Sequence, residues 1–478
     1  MSIRQSFLFN TLFALIVNFI IKPVWVFGID RSVQNQIGSE EYGLYFAIFN
    51  YIYIFQILLD FGLQNFNQTE IAADNSKFKQ LLPGMISAKF VLTIAYVILT
   101  VVVGYLLGYS KEKYFIWLII NQVILSFNVF LRSNISAHRL FIKDALLSAL
   151  DKLLMIIGSS LMFIPFIHWV DLSIQNFIWI QTISLIFTSI FCVYYNLKLS
   201  DSFEWKFDRV LFKSILIKAV PFALIYFLMT IYYRIDTVMI EQIFKSGAIE
   251  SGIYAQSYRI MESVNNIGYI VAGVLLPLFA YRLGQIEHIQ QILRQGFGLM
   301  FTMIIPIVIG GAVFSKEIIH TLYPNEDPTY SSEIFTVLLL NFIPVGLLYV
   351  LGPLLTANKS FKVMIPSLLF ASLMNIVINY FLIPQYGALG ASIATISTQI
   401  FMLIIYGIAV FYLFQLSIQF KFVAQSILFI SIVFGLNYLL HQTGIFWLFS
   451  LAISGTSSLI FAYLLKIISK ETLALKIH

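Results

Sequence analysis

Charged residues are scarce in this sequence. Asp, Glu, Lys and Arg make up 11% of its 478 residues, whereas 59% are hydrophobic and 16% are aromatic. A soluble domain usually carries about 25% charged residues and about 45–50% apolar ones. Because one aqueous core could not hide so much apolar surface, the composition excludes a soluble protein and predicts a polytopic membrane protein.

Cysteine is almost absent, because Cys192 is the only one. This excludes an intrachain disulfide and a cysteine-based metal cluster. The sequence also lacks a G-x-x-x-x-G-K-[ST] phosphate-binding loop, an H-E-x-x-H zinc motif and an Asp-x-Asp pair. We therefore expect no catalytic residues, no metal, no cofactor and no nucleic acid partner. Transport is the expected activity, and the sequence leaves open whether a proton gradient, a sodium gradient or the membrane potential drives it.

Long apolar runs are abundant. A helix that crosses a bilayer needs about 20 mostly apolar residues, and fourteen segments meet this criterion: 7–28, 43–61, 83–108, 114–131, 145–167, 174–197, 214–233, 252–280, 297–315, 334–357, 361–383, 388–415, 422–440 and 445–465. With a cytoplasmic N-terminus, most of the 29 Lys and Arg residues fall on the inner side, as the positive-inside rule requires. We predict an all-α multi-pass protein with both termini in the cytoplasm.

A short repeat suggests two related halves. Residues 38–45 (GSEEYGLY) and 247–254 (GAIESGIY) share a glutamate, a tyrosine and two glycines, and each segment leads into a predicted span. Six spans separate the copies, so both halves enter the membrane in the same direction. This predicts two six-helix lobes related by an axis along the membrane normal, with a lobe at 1–200, a lobe at 201–415 and a helix pair with a tail at 416–478. The alternative is that glycine and tyrosine merely suit helix starts.

Ionisable residues within predicted spans are costly and therefore call for a reason. Arg259 and Glu262 lie three residues apart on one helix face, together with Tyr258 and Asn265. An arginine fork binds phosphate oxygens in bidentate fashion, so this face is a candidate substrate site. Alternatively, the pair only fastens its helix to a neighbour. Lys22, just before a proline in the first span, is a further cationic candidate.

Four charges mark the outer ends of spans 1 and 7. Asp30, Arg31, Arg234 and Asp236 form a candidate outer gate closed by ion pairs between the lobes, or else they are ordinary charges solvated at the interface. Lys89, inside span 3, either extends to the cytoplasmic interface or takes part in a site.

Together these segments resemble one family. The segments 38–45 (GSEEYGLY), 59–63 (LDFGL), 234–236 (RID), 252–254 (GIY) and 383–391 (IPQYGALGA) occur in the same order as in polysaccharide repeat-unit flippases of the O-antigen type. These belong to the multidrug/oligosaccharidyl-lipid/polysaccharide exporter superfamily, which also contains the lipid II flippase.

The resemblance implies transport of undecaprenyl-diphosphate-linked oligosaccharide from the inner to the outer leaflet of a bacterial inner membrane by alternating access. It implies that Arg259 and Glu262 match an Arg-x-x-Glu pair in the eighth helix, and that Lys22 substitutes for a cation in the first. Expected partners are the lipid-linked oligosaccharide, membrane lipids, and the polysaccharide polymerase and chain-length machinery. Two alternatives are a cation-coupled multidrug exporter of the same fold and a membrane polysaccharide polymerase or ligase. The second alternative would need a long outer loop, which the sequence lacks.

Overall fold

Helices make up all the regular structure in the computed structural model, which describes residues 21, 23–64, 71, 78–138, 140–163, 171–200, 209–416 and 419–468. The earlier helices are α1 (Arg31–Ile37, after a π-helical segment Val24–Asp30), α2 (Ser39–Ile54), α3 (Ile57–Asp60), α4 (Phe78–Leu106), α5 (Phe115–Ala137), α6 (Phe141–Leu161), α7 (Ile174–Ser200) and α8 (Arg209–Ile243). The later helices are α9 (Gly247–Arg282), α10 (Ile286–Val313), α11 (Ser315–Leu322), α12 (Pro328–Leu340), α13 (Phe342–Ala357), α14 (Phe361–Phe414), α15 (Phe420–Gln442) and α16 (Trp447–Leu464).

Ten helical segments within the described residues are long and apolar enough to cross a membrane. The predicted count of fourteen is compatible with this number. α14 covers two predicted spans, because its backbone breaks at Gly387. α2 with α3 covers most of the predicted span 43–61, and the charged helix α6 covers residues 145–161 of the predicted span 145–167, whose last four residues lie outside the described part of the chain. Neither falls within the ten. Most of the predicted span 7–28 lies outside the described residues. The all-α polytopic class is confirmed.

The chain forms two compact units, Met1–Gln242 and Ile243–His478. Nearly all of α8 therefore packs with the first unit. The division at residues 200 and 415, which rests on the sequence repeat, remains a prediction.

Asparagine side chains join α5 to α7 in the first unit. Asn121 and Asn128 donate to backbone carbonyls of α7 at 3.5 and 3.1 Å. Asn134 donates to Asn196 at 2.5 Å, and Asn196 donates back to a carbonyl of α5 at 2.9 Å. In a bilayer the helix interface gains little hydrophobic driving force, so such interhelical hydrogen bonds specify which faces meet.

The end of α8 is held by the turn that follows α4. Tyr109 Oη donates to Glu241 Oε2 at 2.8 Å, and Gln242 Nε2 donates to the Leu107 carbonyl at 3.3 Å. Burial and the adjacent Glu241 carboxylate raise the pKa of Tyr109 well above its usual value. The phenol therefore stays protonated and keeps donating to the carboxylate.

The glutamates of the sequence repeat have the same role in both units. Glu41 Oε1 accepts from the backbone N–H of Ile174, at the start of α7, at 3.4 Å. Glu250 Oε2 accepts from the backbone N–H of Ala388 at 2.8 Å and from Tyr330 Oη at 2.7 Å. Each glutamate lies in the first turn of its own helix and binds the first turn of a second one. A negative charge suits both helix N-termini. This correspondence supports a real repeat over a chance similarity.

The break in α14 depends on a glycine. Gly387 has φ 55° and ψ −130°, a conformation that side-chain-bearing residues rarely adopt. A Cβ added there would overlap the Glu250 carboxylate. The glycine therefore provides both the turn and the space for Glu250 to reach the new helix start.

The chain beyond α16 folds back onto α10 and α15. Ile467 and Ile468 are each 3% exposed and belong to an apolar cluster with Ile305 and Phe429. Gly298 of α10 lies directly under the Ile467 carbonyl, where a Cβ would overlap it. The residues that follow α16 therefore help to fasten the last helix pair, α15 and α16, to α10.

Candidate functional site

Two opposite charges lie one turn apart on α9. Arg259 Nη1 is 3.2 Å from Glu262 Oε2, and their side chains are 13% and 31% exposed. An ionised group within a membrane helix costs about 2.5–3.5 kcal/mol or more, so this pair requires a protein or water environment. The predicted ion pair is present, and Glu262 is its more accessible member. Its role in binding a substrate remains a prediction.

The polar face of α9 continues toward α13. Asn265 Oδ1 accepts from Tyr349 Oη at 3.2 Å, and the Tyr349 ring meets that of Tyr269 edge to face at 5.2 Å. The two helices approach closely because Gly268 lies against the Tyr349 ring. Asn265 is half-buried and anchored. Tyr349 was not among the predicted residues, because no sequence pattern links positions 84 residues apart.

The remaining predicted substrate residues differ in their surroundings. Tyr258 is 5% exposed and stacks on Tyr254 at 5.7 Å. The residue that precedes Arg259 is therefore a buried aromatic side chain packed within its own helix. Lys22 lies outside the described residues.

Two of the predicted gate residues contact α2 in the first unit. Arg234 Nη1 donates to Asn50 Oδ1 at 2.8 Å, and its guanidinium lies 4.5 Å from the centre of the Tyr53 ring. Asp30 Oδ2 accepts from Tyr42 Oη at 2.7 Å. The sequence did not single out Asn50 or Tyr42 as partners, although a polar or aromatic residue at every third or fourth position of α2 was a usable signal.

The other two gate residues belong to the same unit. Asp236 is 1% exposed. The Nε atom of the half-buried Arg31 makes no hydrogen bond within the part of the chain that the structure describes. All four residues therefore lie within Met1–Gln242, and a gate between lobes stays a prediction.

Lys89 is a structural anchor, an alternative that the sequence did not suggest. It is fully buried, and its Nζ donates to the Leu59 carbonyl at 2.7 Å and to Ser126 Oγ at 2.6 Å. It also lies 5.6 Å from the centre of the Phe127 ring. The ammonium group thus donates a hydrogen bond to a backbone carbonyl of α3 and another to a side chain of α5, and so connects the two helices. It does not extend to an interface.

No group of three or more His, Cys, Asp or Glu side chains that could hold a metal ion occurs among the described residues.

Two family models match most of the chain. The model described as "Polysaccharide biosynthesis protein" matches residues 7–282. The model described as "Lipid II flippase MurJ" matches residues 154–455. Each covers more than half of the chain. No curated protein is significantly similar to it in sequence.

Solved transporters share the fold. A structure titled "Lipid II flippase MurJ, inward closed conformation" has a TM-score of 0.72 at 17% identity, covering 96% of this chain and 98% of that one. An inward-facing multidrug resistance MATE family transporter of the MOP superfamily has a TM-score of 0.64 at 14% identity, with 85% and 96% covered. A Vibrio cholerae MATE transporter has a TM-score of 0.57 at 16% identity, with 84% and 95% covered. The chain is a multi-pass membrane protein that belongs to the polysaccharide biosynthesis protein and lipid II flippase MurJ families.

Proposed function

We propose that this protein is a non-enzymatic flippase for undecaprenyl-diphosphate-linked oligosaccharide, moving it from the cytoplasmic to the outer leaflet of a bacterial inner membrane by alternating access. Membership of the two families supports a lipid-linked flippase or exporter. A diphosphate and a string of sugar hydroxyls cannot cross hydrocarbon unaided, because each buried polar group loses its water. A carrier must therefore offer polar groups inside the membrane.

The observation that carries this proposal is the Arg259–Glu262 pair on α9. One guanidinium nitrogen is 3.2 Å from the Glu262 carboxylate. The guanidinium has five N–H groups in a planar fork, so those that do not face Glu262 can bind a diphosphate. Glu262 then acts as an internal competitor that keeps the arginine oriented when no substrate is bound. Asn265 and Tyr349 support the same face of the helix.

The test uses a strain that lacks the native gene. In the deletion strain, we expect single lipid-linked repeat units to accumulate and to be protected from an external impermeant enzyme. Arg259→Ala should fail to restore surface polysaccharide although the protein is inserted at normal levels. Arg282→Ala, which removes an arginine at the end of the same helix, should restore it. Normal polysaccharide with Arg259→Ala would refute the site, and externally accessible single units in the deletion strain would refute flipping.

Gating and coupling belong to the same proposal. Asp30, Arg31, Arg234 and Asp236 would close the outer side, and Glu262 or Asp236 would take up a proton while the empty carrier returns. Transport that is insensitive to collapse of the proton gradient would contradict proton coupling and favour sodium or the membrane potential. Polymerase and chain-length proteins are the expected downstream partners.

A multidrug exporter is the second candidate, because the MATE transporters share this fold over 84–85% of the chain. It predicts that deletion sensitises cells to cationic drugs and leaves lipid-linked oligosaccharides unchanged. The Arg259–Glu262 pair favours the flippase, because a carrier of cations gains nothing from an intramembrane guanidinium.

A further inference from the structure

A polar cavity lies inside the first unit, among α5, α6 and α7. Its volume is about 300 Å³, at the lower end of the roughly 300–1,000 Å³ typical of small-molecule sites. None of the predicted substrate or gate residues lines it. Its lining combines two charged, three hydroxyl or amide, and four apolar side chains: Arg132, Asp151, Asn128, Ser148, Thr188, Leu125, Val129, Leu147 and Leu185.

Arg132 contributes to the lining a guanidinium whose Nε atom is bound by a carboxylate. Arg132 Nε donates to Asp144 Oδ1 at 2.8 Å, and the two side chains are 24% and 25% exposed. In the described ranges this is the guanidinium's only hydrogen bond. Its terminal nitrogens therefore retain four N–H donors, the group that binds phosphate oxygens best.

Asp151 contributes a carboxylate to the same lining. Asp151 is 7% exposed, and the nearest cation, Lys152 Nζ, is 3.6 Å away, beyond a normal N–H···O hydrogen bond. Lys152 also lies 5.5 Å from the centre of the Trp25 ring. A buried carboxylate within a membrane helix is costly without strong donors, so Asp151 needs a hydrogen-bond donor inside the cavity.

The charge balance defines the class of ligand. Arg132 and Lys152 are matched by Asp144 and Asp151, so the four groups have no net charge. A ligand with a net charge would bring an uncompensated charge into a medium of low dielectric constant, which is strongly unfavourable. A zwitterion can bind both the Arg132 guanidinium and the Asp151 carboxylate without that cost.

We propose that this cavity binds a phosphoethanolamine group, with its phosphate on the terminal N–H groups of Arg132 and its ammonium on Asp151. A membrane phospholipid is the expected source, because the lining residues Leu125 and Val129 are only half-buried and offer apolar surface for acyl chains. A choline headgroup lacks the ammonium N–H donors, and a glycerol headgroup lacks the cation. The site is therefore selective for ethanolamine lipids.

The test measures lipid retention by the full-length protein. The protein is purified from nanodiscs of phosphatidylethanolamine, phosphatidylcholine or phosphatidylglycerol, and bound lipid is counted by native mass spectrometry. We expect about tenfold preferential retention of phosphatidylethanolamine, the difference that one charge-assisted hydrogen bond makes. Asp151→Asn abolishes the preference over phosphatidylglycerol, and Arg132→Gln lowers retention of all three lipids.

Two further variants separate ligand binding from folding. Ser148→Leu fills the cavity and keeps every charge, because serine and leucine are both neutral. It should abolish the preference while the protein still unfolds cooperatively. Arg282→Gln, on α9, should retain the preference. Competition by soluble phosphoethanolamine at equal potency would make the free compound the source. Equal retention of the three lipids, or a preference that persists in Ser148→Leu, would overturn the site. Neither result depends on flippase activity.

Discussion

At the residue scale, Lys89 carries a buried charge that needs hydrogen-bond partners inside the protein. Its ammonium is fully buried, bonded to Leu59 and Ser126, and attracted by the nearby Asp60 carboxylate. Breaking a buried charged network by removing one member costs about 3–5 kcal/mol, because the remaining partners stay buried and unsatisfied. We therefore expect Lys89→Met to lower the unfolding midpoint of the detergent-solubilised protein markedly.

The same helix offers a control for this prediction. Lys79 is exposed, and Lys79→Met should leave the unfolding midpoint nearly unchanged. Adding Asp60→Asn to Lys89→Met removes the uncompensated carboxylate and should recover part of the loss. Equal midpoints for Lys79→Met and Lys89→Met would show that the buried ammonium contributes nothing.

At the element scale, the repeated glutamates provide a matched pair. Glu250 accepts two hydrogen bonds of 2.7 and 2.8 Å, whereas Glu41 is exposed and accepts one of 3.4 Å. Hydrogen bonds to a charged group contribute about 1.5–3 kcal/mol each. We expect Glu250→Ala to destabilise the protein by about 3 kcal/mol or more and Glu41→Ala by less than about 1 kcal/mol, measured by denaturant unfolding in micelles.

Glycine substitutions in α14 test the same contact, between Glu250 and the helix break at Gly387. Gly387→Ala forces a positive φ on a side-chain-bearing residue and displaces the Glu250 carboxylate. It should be at least as damaging as Glu250→Ala. Gly407→Ala, in the same helix but with open space around it, should be neutral or stabilising. A tolerated Gly387→Ala would mean that α14 does not need the break.

The interface between α5 and α7 depends on asparagines of unequal importance. Asn196 makes interhelical bonds of 2.5 and 2.9 Å, whereas Asn121 makes one of 3.5 Å. Interhelical hydrogen bonds in membranes average about 0.6 kcal/mol and reach about 1.7 kcal/mol. We expect Asn196→Leu to lower the unfolding midpoint more than Asn121→Leu does. The reverse order would place the main stabilisation of this interface in side-chain packing.

At the scale of the whole molecule, the predicted orientation can be measured with cysteine labelling. Cys192 is fully buried, so the natural chain should not react with an impermeant maleimide. Lys111 and Lys359 are both exposed and lie on opposite predicted sides. Lys111→Cys should be labelled in intact cells, and Lys359→Cys only after permeabilisation. Labelling of both from outside would invalidate the orientation derived from the positive charges.

Prediction from sequence succeeded where one segment carried the information. The Arg259–Glu262 pair follows from an i,i+3 spacing, which places both side chains on one helix face whatever surrounds the helix. Contacts between distant segments were not predictable in this way. Arg234 meets Asn50 across 184 residues, and Lys89 meets Leu59 across 30 residues. A hydropathy pattern records neither pairing.

The sequence by itself determined that this is a membrane protein of the all-α class, because apolar length and the distribution of charges are properties of the chain alone. The repeated halves remain a prediction from local spacing. Only the tertiary structure decided what each buried polar group does. In hydrocarbon such a group must find a partner inside the protein, and helix packing alone determines which residue is near enough. Packing therefore made Lys89 an anchor, placed Glu41 and Glu250 at the starts of second helices, and brought Arg132 and Asp151 into the lining of one cavity.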